Sequence, residues 1–379
     1  MGRDCDGRKM NRMRCSRCLI TDEILGATIV DGTCAYCRMH DRLEKQFPIS
    51  QSQLERIVKR IKKAGRKNQY DCLIGISGGC DSSYLLYLAV RFLRLRPLVV
   101  HFDNHWNTEI AESNMERLVS ALNVDFIRYQ LAKEMYDKVN EAFFEATVPD
   151  ADIPNDMAIV AMSREMAMRY KIKYIVNGTT FRTEGSSPLA WVYMDAKYIQ
   201  SVYQSIWGKP LMGFPLLTIR KQIRVAISGI KEIRLLDYID YQKNEAKKEL
   251  KKLFGWQDYG CHHSENKYSA FVTYHLLPKR FGIDKRIIEY SALVRSGQLR
   301  RAEALERLEE KICLPKETLK EIVQRYPAFD NIMKSNRVQS FKDFETYHKL
   351  FKRYRWLIWL ATRFQLLPRT FYIKYTREI

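Results

Sequence analysis

Residues 70–87 read Tyr70-Asp-Cys-Leu-Ile-Gly-Ile-Ser-Gly-Gly-Cys-Asp-Ser-Ser-Tyr-Leu-Leu-Tyr87. The apolar run Cys72–Ile76 predicts a buried strand, Ser77-Gly78-Gly79 a turn, and Asp81 through Leu93 an amphipathic helix. Strand, glycine turn and helix start are how a parallel α/β domain builds an anion site. Glycines let the backbone approach a phosphate, and the first helical N–H groups point at it with the positive end of the helix dipole. Ser77, Ser82 and Ser83 add hydroxyl donors.

A strand–Gly–helix junction recurs in every doubly wound sheet, and a bare Gly-Gly is as often only a tight turn. The ordered string Ser77-Gly-Gly-Cys-Asp-Ser-Ser83 is far more specific. It resembles the pyrophosphate-binding loop of the ATP pyrophosphatase (PP-loop) superfamily, whose members split ATP to AMP and pyrophosphate. It is not a Walker loop, because Gly-x-x-x-x-Gly-Lys-Ser/Thr occurs nowhere in the chain.

Outward from this loop, helices and strands alternate. A helix is expected from Ser50 to Ala64 with Leu54, Ile57, Val58 and Ile61 on one face, then strands at 97–103, 124–129 and 173–178. Helices are expected at Glu109–Leu122, Lys133–Ala146, and from an Asn155-Asp156 cap to Tyr170. The Met157, Met162, Met166, Met168 series reads as core filling rather than a soft binding surface. The fold class is therefore α/β, a doubly wound parallel sheet. A cysteine-rich module precedes it, and from Ile223 the composition shifts to charged helix. The expected divisions are a disordered 1–12, a four-cysteine module at 13–46 and an α/β domain at 47–240. A helical region at 241–329 and a basic aromatic tail at 330–379 follow.

The 379 residues carry a net charge of +20, which favours anionic partners: nucleotides, nucleic acid or acidic membrane surface. No apolar run is long enough for a transmembrane helix. Met1-Gly-Arg-Asp-Cys-Asp6 has no apolar h-region, and Asp6 stands where a myristoylation signal needs Ser or Thr. Nine cysteines with paired spacing fit metal binding in a reducing compartment, so a cytoplasmic protein is expected. Cys15-Ser-Arg-Cys18 and Cys34-Ala-Tyr-Cys37 have the spacing of a zinc ribbon, with an iron–sulfur cluster as the competitor. The segment is too short for a core of its own, so metal is expected to supply its folding energy. With four thiolates no open position remains for catalysis.

Ligands of such sheets bind at the carboxyl ends of strands. That rule selects Ser77–Ser83, Asp103-Asn104-His105, and Gly178 through Glu184-Gly185. Asp103 is a candidate for a ribose or a magnesium ion, and equally for a cap or turn residue. Glu184, in a glycine-containing loop, is the better candidate for a substrate contact. Lys243 to Lys252 reads as a solvated lysine face. His262-His263 beside Cys261 suggests a substrate or phosphate contact rather than a second metal site. The tail carries Trp356, Trp359, Phe364 and Tyr372 among Arg and Lys. It suits a membrane surface, a partner, or packing onto the domain.

Together these residues resemble one branch of the PP-loop superfamily, the N-acetyl sugar amidotransferases of lipopolysaccharide, pseudaminic-acid and legionaminic-acid biosynthesis. The resemblance spans Cys15 to about Leu308. It rests on the paired cysteines, the loop, Phe102-Asp-Asn104, Gly255-Trp-Gln-Asp-Tyr-Gly260, Leu277-Pro-Lys-Arg-Phe-Gly-Ile-Asp-Lys-Arg286, Ser296-Gly-Gln298 and Glu303-Ala-Leu305. Ser264–Phe271 matches loosely, and the tail beyond Asp330 has no family pattern. The resemblance implies ATP with Mg²⁺, a structural Zn²⁺ on Cys15, Cys18, Cys34 and Cys37, and a nucleotide-activated acetamido sugar as substrate.

The acetamido oxygen would attack the α-phosphorus of ATP, releasing pyrophosphate. Ammonia would then convert the adenylated imidate to an acetamidine with loss of AMP. By resemblance Ser77, Gly78, Gly79, Asp81, Ser82 and Ser83 hold the pyrophosphate. Asp103 and Gly178 belong to the nucleotide site, and Asn104, His262 and His263 to the sugar. Ser77, Asp81 and Glu184 are the expected catalytic set. Ammonia would come from separate glutaminase and barrel subunits, similar to the halves of imidazole-glycerol-phosphate synthase. No Gly-x-Cys-x-Gly elbow is present, and residue 2 is Gly rather than a nucleophilic Cys. Two other classes fit parts of the sequence. One is a tRNA-modifying PP-loop thiolase, which the charge and zinc motif suit but the single cysteines 72, 80, 261 and 313 do not. The other is a non-enzymatic zinc-bearing scaffold in glycan assembly.

Overall fold

The computed structural model describes residues 13–24, 26–188, 191–261, 263–311, 314–364, 367, 372 and 376. The expected disorder of 1–12 lies outside them. The cysteine module is built on an antiparallel hairpin of β1 (Ile29–Val30) and β2 (Thr33–Cys34), leading into α1 (Ala35–Gln46). Next, α2 (Gln51–Gly65) starts at a Ser50 cap and buries Leu54, Ile57, Val58 and Ile61, the stripe its spacing predicts.

Alternation then sets in. The order is β3 (Cys72–Gly75), α3 (Cys80–Tyr87), β4 (Pro97–Asp103), α4 (Glu109–Leu122), β5 (Phe126–Gln130), α5 (Lys133–Glu145) and α6 (Ile153–Arg169). Then come β6 (Tyr174–Asn177), α7 (Ala196–Trp207), α8 (Ile219–Ile227) and β7 (Lys231–Arg234). The five strands pair in parallel in the order β5-β4-β3-β6-β7, so the doubly wound parallel sheet is present. Successive β3 residues serve opposite faces: Cys72 and Ile74 join the core with Leu54 and Ile61, whereas Leu73 joins Leu98, Val100 and Ile175. Both faces are covered, which is why the central strands read as continuous apolar runs.

Several expectations need correction. The charged segment after Ile223 is not continuous helix, because α8 ends at Ile227 and Lys231-Glu-Ile-Arg234 adds a fifth strand. As an edge strand it buries only Ile233 and tolerates charge elsewhere. Asn155-Asp156 does not cap α6; the helix begins at Ile153 with Pro154 in its first turn, where the missing N–H costs nothing. After Tyr87, Leu88–Phe92 continue as a π-helical turn. Met157, Met162 and Met166 are buried core residues and Met168 packs against them, as their helical spacing predicts.

The remainder is helical, with α9 (Lys243–Phe254), α10 (Lys267–Phe271), α11 (Leu277–Phe281), α12 (Arg286–Arg295) and α13 (Arg301–Glu309). It ends with α14 (Lys316–Arg325), α15 (Phe329–Lys334), α16 (His348–Arg353) and α17 (Arg355–Arg363). Phe271, Tyr326, Phe341, Phe351 and Ile358 share one apolar core with Leu73 and Val100 of the sheet. Among the described residues no helix is long and apolar enough to cross a membrane.

Candidate active site and cysteine cluster

Strand order reverses between β3 and β6, so the loops leaving their carboxyl ends line one crevice. A Cβ on Gly178 would lie 3.1 Å from the Asp81 carbonyl oxygen and the Ser82 Cα, so the loop after β6 closely approaches the start of α3. The two loop glycines have different tasks. Gly78 has φ +76°, and a Cβ there would sit 2.3 Å from the Ala111 carbonyl oxygen of α4. Its own carbonyl accepts from Trp256 Nε1 at 3.1 Å and Asn114 Nδ2 at 3.2 Å. Gly79 has an ordinary φ of −70° and caps α3 with no side chain. A Cβ on it would point at Glu265 Oε1, Ser77 Oγ and Tyr259 Oη, so Gly79 faces the crevice.

The loop's donors are held by neighbours. The Gly79 N–H donates to Ser77 Oγ at 3.3 Å, and the Cys80 N–H donates to Tyr259 Oη at 3.2 Å. Ser82 Oγ accepts from the Ser77 N–H at 3.3 Å and donates to the Gly79 carbonyl. Ser83 Oγ is buried and has no hydrogen-bond partner. Ser77 Oγ donates to Glu265 Oε1 at 3.4 Å, whereas Glu265 Oε2 is buried and unpartnered.

Asp81 accepts a hydrogen bond from the Tyr241 hydroxyl and pairs with Lys243 Nζ at 3.3 Å, both side chains of the pair being largely buried. Lys243 is therefore not part of a solvated lysine face: it turns inward at the start of α9, while Lys248 and Lys251 remain outside. Burial pulls the Lys243 ammonium down, but Asp81, then Glu289, Cys80 and Glu184, hold it above its ordinary range. Gln298 braces this corner, accepting the Lys243 N–H at 3.1 Å and donating to the Tyr241 carbonyl at 3.0 Å. Ser296 Oγ donates to the Arg182 carbonyl at 2.8 Å. The Ser296-Gly-Gln298 string thus ties the β6 loop and the Tyr241–Lys243 segment together.

Glu184 joins the same crevice. Burial, then the charge of Asp81, pushes its carboxyl up to about 7 against the opposing pull of His263, Lys243 and Arg234. His263 Nδ1 lies 3.9 Å from Glu265 Oε1. About half of the His263 side chain is exposed. Desolvation by the surrounding protein still lowers it, but the hydrogen bond and charge of Glu265 and the charge of Glu184 outweigh this and raise it to about 9. Burial likewise raises Glu289 on α12, with Lys243 and His263 opposing. The crevice therefore combines helix N–H groups and two cations with several carboxylates, one of which holds its proton tightly enough to exchange it near neutrality.

Not every expected residue converges here. Asp103 accepts the His105 N–H at 2.9 Å and pairs with Arg128 Nη1 of β5 at 3.1 Å, a turn and ion-pair role. Asn104 is buried and saturated. Its Nδ2 donates to Tyr136 Oη and Asn155 Oδ1, and its Oδ1 accepts from the Trp106 N–H and Asn266 Nδ2. Both protons and both lone pairs are used within the chain. His262 lies outside the described residues. Tyr241, Lys243, Tyr259, Glu265 and Glu289 also gather around this crevice, and no sequence signal had singled them out. Tyr259 stood inside the Gly255–Gly260 string without a role, and Lys243 was hidden in a lysine run.

The four paired cysteines meet. All four Sγ atoms are buried and lie within 4.8 Å of one another, with Cys15–Cys37 at 3.8 Å and Cys18–Cys34 at 3.6 Å. Tetrahedral zinc at Zn–S of about 2.3 Å separates its sulfurs by about 3.8 Å, so the donor set fits the ion. Hydrogen bonds from Cys34, then Cys37, hold the Cys18 thiol far below its ordinary value. Among the described residues this is the one group of three or more Cys, His, Asp or Glu placed to share an ion. Direct contacts dock the module on α12 and α13. Arg301 donates to the Cys18 and Cys15 carbonyls, the Leu19 N–H donates to Ser291 Oγ, and Leu19 packs on Leu299 and Ala304. Cys72 and Cys80 are buried and Cys261 is exposed.

Comparison with known proteins bears on both halves of the chain. Residues 265–362 match the family described as LPS biosynthesis protein WbpG-like, C-terminal domain, and residues 50–196 match NAD synthase. No curated protein matches the chain. Among solved structures, NMN synthetase from Francisella tularensis is 14% identical over 76% of this chain and 98% of its own, with a TM-score of 0.32. The NH3-dependent NAD synthetase from Campylobacter jejuni is 14% identical over 54% of this chain and 94% of its own, at 0.28. The U34-tRNA thiolase NcsA from Methanococcus maripaludis, with its [4Fe-4S] cluster, is 14% identical over 80% and 90%, at 0.30.

Proposed function

We propose, from the premise that the chain belongs to the N-acetyl sugar amidotransferase family, that it converts the acetamido group of a nucleotide-activated sugar to an acetamidino group. The observation that carries this reading is the meeting, at the β3/β6 crevice, of the Ser77–Ser83 anion loop with Glu184. One element suits a pyrophosphate leaving group, and the other suits a proton acceptor at neutral pH. A PP-loop ATP-using domain in a protein of LPS biosynthesis has both tasks.

An amide carbonyl is a poor electrophile, so its oxygen must first become a leaving group. The acetamido oxygen attacks the α-phosphorus of ATP, and the bond from that phosphorus to the pyrophosphate oxygen breaks. The Gly79 and Cys80 N–H groups, the Ser77 and Ser82 hydroxyls and Lys243 take up the charge released. Ammonia then adds to the imidate carbon, Glu184 takes a proton from the new nitrogen, and the carbon–oxygen bond to AMP breaks. Bound Mg²⁺ would neutralise phosphate charge, and Glu265, with an unpartnered buried oxygen beside Ser77, is the carboxylate best placed to hold it. Zn²⁺ on Cys15, Cys18, Cys34 and Cys37 would cross-link the module that packs against α12 and α13. Ammonia arrives from a glutaminase subunit working with a barrel subunit.

The test is direct. The chain is incubated with ATP, Mg²⁺, ammonium and a panel of nucleotide-activated acetamido sugars. AMP and pyrophosphate should appear with one sugar class only, together with a product in which oxygen is replaced by NH. AMP release that requires tRNA instead, or no AMP release with any sugar, overturns the reading. Glutamine should replace ammonium only when the glutaminase subunit is added.

A further inference from the structure

Between Lys349 and Phe364 the chain reads Lys-Leu-Phe-Lys-Arg-Tyr-Arg-Trp-Leu-Ile-Trp-Leu-Ala-Thr-Arg-Phe, with five basic residues and no acidic one. Only two of its side chains, Phe351 and Ile358, are buried in the core, and they fix α16 and α17 to the domain by one edge. The opposite side is open. Trp356 is 59% exposed, Trp359 45%, Leu357 46% and Phe364 64%. Helical geometry puts Trp356, Trp359 and Arg363 on one stripe, flanked by Arg355 on one side and by Leu357 and Phe364 on the other. Arg363 lies over the Trp359 ring at 5.8 Å, and Arg353 over Tyr354 at 5.7 Å.

We infer that α16 and α17 are a docking surface for an anionic lipid bilayer. Protein interfaces enrich aromatics and arginine but deplete lysine, whereas this segment carries Lys349 and Lys352 beside its arginines and has no acidic residue. Here the two indole rings share one stripe with Arg363, and Arg355 lies beside it. This suits the headgroup layer, where tryptophan sits with its ring in the interface and arginine reaches phosphate. Charge complementarity selects the lipid: the patch holds five cations and no anion, within a chain of net charge +20. Each basic group near an anionic membrane strengthens binding about fivefold, as about 1 kcal/mol. No α-helix in the patch spans a membrane, so the contact is peripheral. The inference does not depend on the amidotransferase reading.

Flotation of the full-length chain with vesicles tests it, using phosphatidylcholine alone and phosphatidylcholine mixed with phosphatidylglycerol. Binding should be at least tenfold stronger to the anionic vesicles and should fall as salt rises and the screening length shortens. A double variant, Trp356→Ser with Trp359→Ser, and a second, Arg355→Gln with Arg363→Gln, should each lose at least tenfold while keeping wild-type thermal unfolding. Absent or charge-independent vesicle binding overturns the inference, as does wild-type binding by both variants. A concentration-dependent oligomer that the tryptophan variant disperses, without vesicle binding, would assign the surface to a second copy and also overturn it.

Discussion

The Cys80 backbone N–H donates to the Tyr259 hydroxyl at 3.2 Å. A side chain from the segment after α9 thus occupies a donor that a helix start otherwise offers to a ligand. If the nucleotide must displace that hydroxyl, Tyr259→Phe removes a competitor. Binding of ATP, measured by calorimetry, should tighten about two- to tenfold, the worth of one ordinary hydrogen bond. Weaker binding would mean that Tyr259 itself contacts the nucleotide.

The two loop glycines should respond differently to alanine. Gly78→Ala combines a positive φ with a backbone oxygen 2.3 Å from the new Cβ, so it should cost several kcal/mol, on the scale of severe core substitutions. Gly79→Ala meets only the ends of movable side chains at 3.1–3.3 Å and should keep its fold while losing AMP release. Thermal unfolding and turnover of the pair check this; equal destabilisation would place both residues in packing.

Lys243→Met leaves Asp81 largely buried without its cation. Removing one partner of such a pair costs about 3 kcal/mol. Urea unfolding should show that loss, and AMP release should fall with it. Lys247→Met, whose pair with Asp258 is more open, should change stability by less than about 1 kcal/mol.

Glu184 carries a pH signature. Its folded-state pKa, about 7, lies above the ordinary glutamate value, so the folded chain holds the proton more tightly than the unfolded one. Its contribution to stability is complete below about 4.5 and is lost as pH rises to about 7. His263 adds a loss of the same sign between about 6.5 and 9. Glu184→Gln should remove the first slope from the pH dependence of unfolding. It should also remove an acid limb near neutrality from the rate of amidine formation.

Cys34→Ser breaks the metal set and the Cys34 cap of α1 together. One equivalent of zinc should be lost and the melting temperature should fall. Docking of the module on Ser291, Leu299 and Arg301 should keep the α/β domain folded. Elemental analysis and visible absorbance distinguish zinc from iron–sulfur.

Local chemistry sufficed for much of this. The β3–loop–α3 unit, the α2 stripe, β4, α4 and the paired cysteines were legible because each is specified by neighbours within a turn or a strand. The fifth strand was not, because Lys231-Glu-Ile-Arg234 is an edge strand whose single buried residue leaves no period-two signal. The partners of Asn104 were hidden for a related reason: a polar residue at a strand end looks the same whether it meets a ligand or Tyr136, Asn155, Trp106 and Asn266.

The opening stretch determined by itself that an anion loop follows the central strand, since glycine freedom, serine hydroxyls and a helix start are properties of adjacent residues. Tertiary structure alone decided what faces that loop. Lys243 is 162 residues from Asp81 and Glu265 is 188 residues from Ser77. Sheet order and the packing of α9 and α12 bring these charges into one crevice. There burial, which no local pattern encodes, raises Glu184 to a neutral-range acid and turns a surface-looking lysine inward.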